Sequence, residues 1–378
     1  MNFQDIKNKT VLLRCDFNES IISNTLRSHE RIDANIITIH ELLARNNKLI
    51  LISHHSDKDQ TMLPVYNYLQ NIFSNIRYLN TTNTLAIKDY LELNKHNLAD
   101  NLILLENTRL FKNENDEKVD TAENKNLDES NSQSFSIFLS GLADCFVFDA
   151  FSVGHRDHSS TTGAASLIPA CYGPTFLKEY SSLQKILNEM DKTLVFFGGA
   201  KLSTKLKTLE KFIEKKSYIC LGGAMVHPII QTLGTDIKSS FIEDTPLNMT
   251  QSLIFSSHLI LPKDLIWNTE KTMIVDNMFD FEKVDKIVTD QNIKNILWNG
   301  PVGVYEKGCV AGSLEIYNYI KGKQNQFRVV GGGDTLAFLE SVNVNYKESF
   351  SYVSLSGGAM LEFLTKNTLP ILNIIKIL

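Results

Sequence analysis

Two lysines four residues apart, Lys201 and Lys205, follow a glycine pair, Gly198-Gly199, that ends the apolar run at 193–197. Strand, glycine turn, then a helix start bearing lysines is a way to hold phosphate. Glycines let backbone N–H groups approach the anion, and a helix N-terminus favours negative charge. On a helix beginning after the glycines, the lysines share one face. The alternative is a tight βα turn with two solvated lysines. A second candidate is Asp334, directly after Gly331-Gly332-Gly333 and before Thr335. An acid there reaches Mg²⁺ on nucleotide phosphates, an ion that needs only one or two protein carboxylates. A third group is cationic and hydrogen-bonding. Asp16, Asn18, His54, Arg109, His155 and Arg156 follow apolar runs, and Arg31 opens an amphipathic segment. Arginine grips phosphate or carboxylate in a bidentate fork. One such residue alone reads as a salt bridge or capped loop; the recurrence points to a small phosphorylated or carboxylated ligand. His155 and His158 lack a third nearby ligand, so a substrate or structural role is preferred to zinc.

The elements that position these residues follow from short apolar runs. Segments 10–15 (TVLLRC), 48–53 (KLILIS), 76–79, 102–105 (LILL) and 145–149 (CFVFD) read as buried strands, with helical patterns at 31–43, 63–73 and 135–142. Apolar runs alternating with helices predict βαβ units and a parallel sheet covered on both faces. In such sheets ligands bind beyond the carboxyl ends of the strands. A Pro- and Gly-bearing break at 169–174 precedes a connecting helix at 176–190. Five later strands, 193–197, 217–221, 296–298, 327–330 and 351–355, each end in glycine turns, at Gly198-Gly199, Gly222-Gly223, Gly300 with Gly303, Gly331-Gly332-Gly333 and Gly357-Gly358. So many turns suit a nucleotide held largely by main chain over a sheet edge, although any α/β domain needs tight βα turns.

At 378 residues the chain has room for two domains, and 43% hydrophobic with 21% charged residues is ordinary globular composition. Segment 113–134 holds seven acids and two bases, which accounts for the net charge of −5. No global basic field invites nucleic acid. That polar segment reads as a solvated loop or frayed helix start. The five cysteines form no CxxC pair and imply a reducing compartment. The N-terminus lacks an apolar signal core, no apolar run reaches membrane-span length, and apolar 369–378 reads as packing against a core. G-x-S-x-G, HExxH, a Cys/His nucleophile motif and the Walker pattern are missing, so a phosphotransferase of another type is indicated.

In order along the chain, VLLRCDFNES (11–20), RIDANIITI (31–39), LISH (51–54), LLENTRLF (104–111), FVFDAFSVGHRDHSSTTG (146–163), FFGGAKLSTKL (196–206), WNGPVGVYE (298–306), VVGGGDTLA (329–337) and SGGAMLEFL (356–364) resemble the phosphoglycerate kinase family over nearly the whole length. The resemblance implies two doubly wound, Rossmann-like parallel-sheet α/β domains joined by a helical hinge around a cleft. Residues 1–168 with 365–378 would bind phosphoglycerate and 175–364 would bind nucleotide. It implies Asp16, Phe17, Asn18, Arg31, His54, Asp57, Arg109, His155 and Arg156 for 3-phosphoglycerate or 1,3-bisphosphoglycerate. It implies Gly198, Gly199, Lys201, Lys205, Gly222, Asn299, Gly303, Glu306, Gly332, Gly333, Asp334, Thr335, Gly357 and Gly358 for ADP or ATP, with Glu306 toward the ribose and Asp334 on Mg²⁺. Arg31, Lys205 and Lys201 would act in catalysis, by direct in-line transfer of an acyl phosphate to ADP. A cytoplasmic, monomeric glycolytic enzyme without nucleic-acid or membrane partners is implied.

The chain also departs from the family pattern. Asp57 stands where SHLGRP has its arginine, with Lys58 beside it. Asp276-Asn277-Met278-Phe279-Asp280 replaces a DIGP-type loop, after a shortened segment 261–273. Ser356 replaces a third glycine, and His227-Pro228 after Gly222-Gly223 is atypical. These changes frame an alternative, a catalytically impaired nucleotide-binding relative. A dinucleotide oxidoreductase lacks one dominant GxGxxG with its ribose-binding acid, and a purely structural protein has no support beyond segment 113–134.

Overall fold

The computed structural model describes residues 1–95, 97, 100–115, 135–243 and 253–377. Two compact units emerge, Met1–Tyr180 with Thr368–Leu378, and Ser181–Asn367. Each is built on a six-stranded sheet. All neighbouring strands in both sheets run parallel. The two expected parallel-sheet α/β domains are therefore the fold.

In the first unit the strand order is Ile76–Leu79, Leu102–Leu105, Lys48–Ile52, Thr10–Arg14, Cys145–Phe148, Ala170–Tyr172. Thr10–Arg14 lies centrally and is buried apart from its first residue. That explains a continuous apolar run in place of alternation, since helices cover both faces. Register pairs Arg14 with Ile52 on one side and with Phe148 on the other. Residues just beyond these positions, Asp16, His54 and Asp149, thus follow aligned strand ends. The segment Thr368–Leu378 packs onto this unit. The Tyr172 hydroxyl donates to the Ile371 and Ile375 carbonyls at 3.1 and 2.8 Å, and Leu369 and Ile371 are fully buried.

The second unit orders its strands Leu259–Ile260, Tyr218–Leu221, Thr193–Phe197, Asn295–Asn299, Phe327–Gly331, Tyr352–Ser354. Phe197 pairs with Leu221 and with Asn299, and Gly331 with Ser354. The glycine turns therefore emerge along one edge. Trp298, Phe196 and Phe338 anchor the core. The helix Pro174–Asn188 carries the chain from the first unit into the second.

The two lysines do not share a helix face. The helix is Leu206–Glu214, with Lys205 at its N-cap and Lys201 outside it. Gly199, at φ 119°, turns the chain away from the strand, and a turn closed by Lys205 N–H to the Leu202 carbonyl at 3.0 Å occupies the expected first helical turn. The expected break at 169–174 holds the edge strand Ala170–Tyr172, and the edge strand Leu259–Ile260 was also unexpected, as were two antiparallel pairs, Ile21–Ile22 with Thr25–Leu26 and Asp264–Trp267 with Ile274–Met278. The altered loop is thus the end of a strand and a helix start. Asp280 caps the helix Phe281–Asp290 by accepting from Lys283 N–H at 3.2 Å, and Phe279 is buried edge-on to Phe196. Ser356 sits at φ −102°, which any residue adopts, so its third-glycine position carries no strain. Of the polar stretch, residues 116–134 lie outside the described residues.

Candidate functional site

The edge of the first unit gathers cations around Asp16, Glu19 and Glu114. Arg31 Nη1 donates to Asp16 Oδ2 at 2.6 Å, and its backbone N–H to Glu19 Oε1 at 2.6 Å. Burial opposes the guanidinium charge, and Asp16 outweighs it, holding Arg31 above its ordinary value. Asp16 is fixed in turn. Its N–H donates to Asn35 Oδ1 at 2.8 Å, while Asn35 Nδ2 donates to the carbonyl and Oδ2 of Asp149, each at 3.1 Å. Phe17 N–H is held by Ser53 Oγ at 2.9 Å. Asn18 Oδ1 accepts from the Ser56 N–H and hydroxyl at 2.8 and 2.7 Å.

His54 is buried, and Arg14 Nη2 donates to its Nδ1 at 3.3 Å. Burial first, then the charges of Arg14, Arg109, Arg31 and His158, hold this imidazole well below its usual range. His158 is pushed down to about 4, by burial and then by Arg14, Arg156, Arg109 and His155. Arg109 is lowered by burial and by Arg156. These shifts place His54, His155, Arg156, His158, Arg31 and Arg109 in one electrostatic neighbourhood. It disfavours further positive charge and favours an incoming anion. Arg109 Nη1 also donates to the Ser56 carbonyl at 2.8 Å, tying it to the loop that carries exposed Asp57.

Arg14 is the residue that sequence reading missed. It closes an apolar run and reads as part of a strand, yet its guanidinium is only 1% exposed, with Nε and Nη1 unpartnered. Glu114 contributes the leading opposite charge; this acid is itself buried and accepts from Ser160 N–H at 3.0 Å and Ser160 Oγ at 2.5 Å. A buried cation short of partners at a strand end is a functional signal.

In the second unit a cavity of about 230 Å³ opens at the glycine-turn edge, lined among others by Gly199, Gly223, Gly303, Glu306 and Asp334. Lys205 Nζ donates to the carbonyls of Gly198 and Asn299 at 2.7 and 3.1 Å. Burial brings its amine down to about 8, against the pull of Asp334. Asn299 Nδ2 donates to the Gly331 carbonyl at 2.7 Å, and Thr335 Oγ1 accepts from Gly300 N–H at 2.7 Å. Asn299 and Thr335 therefore brace the turns from behind. Gly332, at φ 106°, precedes the helix Gly333–Ser341, and a Cβ there would stand 2.5 Å from Asn299 Nδ2. Gly357 and Gly358 open the helix Gly357–Lys366 at the neighbouring strand end. Two adjacent helix N-termini thus stand ready for anions. Gly198 and Gly222 sit behind the cavity. A Cβ at Gly198 would meet the Pro301 carbonyl oxygen at 2.3 Å, and one at Gly222 would meet Val302 at 2.6 Å. Their role is close packing of the turns. Lys201 is exposed.

Asp276 and Asn277 also line the cavity, and their polar groups are spent on main chain. Asp276 accepts from Gly312 N–H at 3.0 Å and Asn277 N–H at 2.8 Å. Asn277 Oδ1 accepts from Gly223 N–H. Among the described residues no cluster of three or more His, Cys, Asp or Glu could hold a metal, and no helix is long and apolar enough to cross a membrane.

The family model for phosphoglycerate kinase matches residues 1–367. A phosphoglycerate kinase of Mycoplasmoides gallisepticum is 32% identical, covering 97% of this chain and 95% of that protein. One of Finegoldia magna is 32% identical, covering 97% and 96%. The solved phosphoglycerate kinase of Coxiella burnetii superposes with a TM-score of 0.78 at 27% identity, covering 97% of this chain and 96% of its own. That of Pyrococcus horikoshii, at 22% identity and a TM-score of 0.75, shares the fold. With one sheet edge crowded by cations and another lined by glycine turns, these matches lead to one conclusion: the chain belongs to the phosphoglycerate kinase family, phosphotransferases whose acceptor is a carboxyl group.

Proposed function

We propose that the two units divide the reactants of a reversible acyl-phosphate transfer, in which 1,3-bisphosphoglycerate and ADP give 3-phosphoglycerate and ATP. The observation that carries this reading is the crowding of Arg14, Arg31, His54, Arg109, Arg156 and His158, whose mutual repulsion a phosphorylated acid relieves. Asp16 and Asn18 orient the acid, and Arg31 neutralises charge on the phosphoryl in transit. The nucleotide occupies the cavity of the second unit, with Glu306 toward the ribose. Lys205 meets the transferring phosphoryl and Lys201 the outer phosphates. Phosphoryl transfer asks for positioning and charge neutralisation rather than a covalent group.

Asp334 is exposed, lines the cavity and acts electrostatically on Lys205. One carboxylate beside phosphate oxygens fits the modest demand of Mg²⁺. The ion would be held by Asp334 with the nucleotide phosphates and would supply charge neutralisation there. Transfer requires the two ligands to meet, and closure about the helix Pro174–Asn188 is the motion this reading calls for. The setting is cytoplasmic glycolysis, with the chain acting as a monomer. The test is ATP formation from 1,3-bisphosphoglycerate and Mg·ADP in a coupled assay. Turnover supports the reading, and tight Mg·ADP binding without turnover would overturn it.

A further inference from the structure

His227 is the atypical residue after Gly222-Gly223, and it lines the cavity of the second unit. Pro228 follows it at the start of the helix His227–Thr232, where a missing N–H costs nothing. The ring is 2% exposed. Its Nδ1 lies 2.6 Å from the Phe241 carbonyl oxygen. A carbonyl can only accept, so Nδ1 carries the proton. Burial lowers the ring below its ordinary range, with the Phe241 carbonyl pulling the other way and no charged side chain contributing. The imidazole is therefore neutral and Nε2 is a lone-pair acceptor. Nε2 has no hydrogen-bond partner among the described residues.

The rest of the wall leaves this acceptor alone. Ala224, Ile274 and Val302 are apolar. Asp276 and Asn277 are engaged by main-chain N–H groups. Glu306 and Asp334 are the remaining acids, and the reading above gives them to the ribose and the metal. Tyr305, also in the wall, hydrogen-bonds Glu306. In a mostly apolar pocket a few placed polar atoms fix the ligand's orientation, and His227 Nε2 is one of them.

We infer that His227 is a base-selecting residue, whose Nε2 accepts a hydrogen bond from the exocyclic amine of an adenine-type base. A base with a carbonyl at that position brings lone pair against lone pair, and both groups go unpaired. This rests on the assignment of the cavity to nucleotide.

The experiment is calorimetric titration of the full-length protein with ADP, purine-riboside diphosphate and inosine diphosphate. These carry an amine, a hydrogen or a carbonyl at one position of the base, the carbonyl form also bearing a proton on the neighbouring ring nitrogen. Expected affinities fall in that order, with ADP about tenfold or more tighter than inosine diphosphate. In His227→Phe the preference collapses to about twofold. In His227→Gln, whose amide presents either an acceptor or a donor, inosine diphosphate recovers. Equal binding of ADP and inosine diphosphate by the wild type overturns the proposal and leaves the nucleotide site standing. Retained discrimination in a folded His227→Phe protein overturns it as well. If none of the three diphosphates binds, the nucleotide assignment fails and the proposal fails with it. The wild-type series needs no variant to fold.

Discussion

The ammonium of Lys205 rests on the main-chain oxygen of Gly198, 2.7 Å away, at the N-terminus of the helix Leu206–Glu214. A cation at that end of a helix opposes the macrodipole, and burial has already brought its amine down to about 8. The carbonyls of Gly198 and Asn299 compensate in the free protein. On the proposed function an incoming phosphate would replace them as the partner.

A pH dependence follows, with two signs. Transfer needs the ammonium, so kcat/KM for the nucleotide should fall as pH rises through about 8. Bound phosphate favours the charged form, so the same fall in kcat should lie at higher pH. Stability moves the other way. Between about 8 and the ordinary lysine range the unfolded chain holds this proton more than the folded one, so Lys205 contributes stability as pH rises. Rate profiles and denaturant midpoints of wild type and Lys205→Met read both effects. A kcat/KM profile flat to pH 10 would count against the assigned role.

Arg31→Ala and Lys205→Ala are each expected to lower kcat by about 10²–10³ with modest loss of substrate binding, since a preorganised donor acts mainly on charge in transit. Steady-state kinetics decide the matter, and near-normal kcat in both would sink the assignment.

Asp149 is expected to be structural. Its carboxylate accepts from Asn35 Nδ2 at 3.1 Å, Thr38 Oγ1 at 2.5 Å and Phe176 N–H at 2.8 Å. Asp149→Ala strands these donors, at about 1–3 kcal/mol for each one left buried and unpaired. Burial raises the carboxyl to about 6. The folded state thus binds the proton more readily than the unfolded chain, and this residue's contribution to stability declines as pH rises from the ordinary carboxylate range through about 6. Denaturation of wild type against Asp149→Asn between pH 4 and 7 isolates it. The difference should shift toward the variant as pH rises.

Asp57→Arg should lower KM for 3-phosphoglycerate about tenfold with little change in kcat, because it adds a charge-assisted donor on the loop that already carries the Arg109–Ser56 contact. An unchanged or raised KM would remove Asp57 from the substrate surface.

Five strands of each sheet were legible in the sequence because strands buried on two faces leave unbroken apolar runs, as in LILL at 102–105, with ligand-type residues at their ends; the short edge strands Ala170–Tyr172 and Leu259–Ile260 were not. The antiparallel pair Asp264–Trp267 and Ile274–Met278 was hidden, since half of the first strand faces outward and the runs are broken by polar residues. Arg14 was concealed by its neighbours, because Leu12, Leu13 and Cys15 make its position look like ordinary core. Spacing alone misplaced Lys201 and Lys205, since a four-residue interval cannot tell a helix from the turn before it. The bracing roles of Asn35, Asn277 and Asp276 depend on partners far away in sequence, which no local pattern contains.

The Tyr172 hydroxyl holds the carbonyl of Ile371, a residue 199 positions later. During synthesis the ribosome must therefore deliver the whole of Ser181–Asn367 before the first unit can receive its closing segment. At roughly 5–20 residues per second, that interval runs from about 9 to about 37 seconds. The second unit, contiguous in sequence, can complete itself as it emerges, whereas the first waits with Leu369 and Ile371 still missing from its core. The order of birth along the chain is thus the reverse of the order of completion.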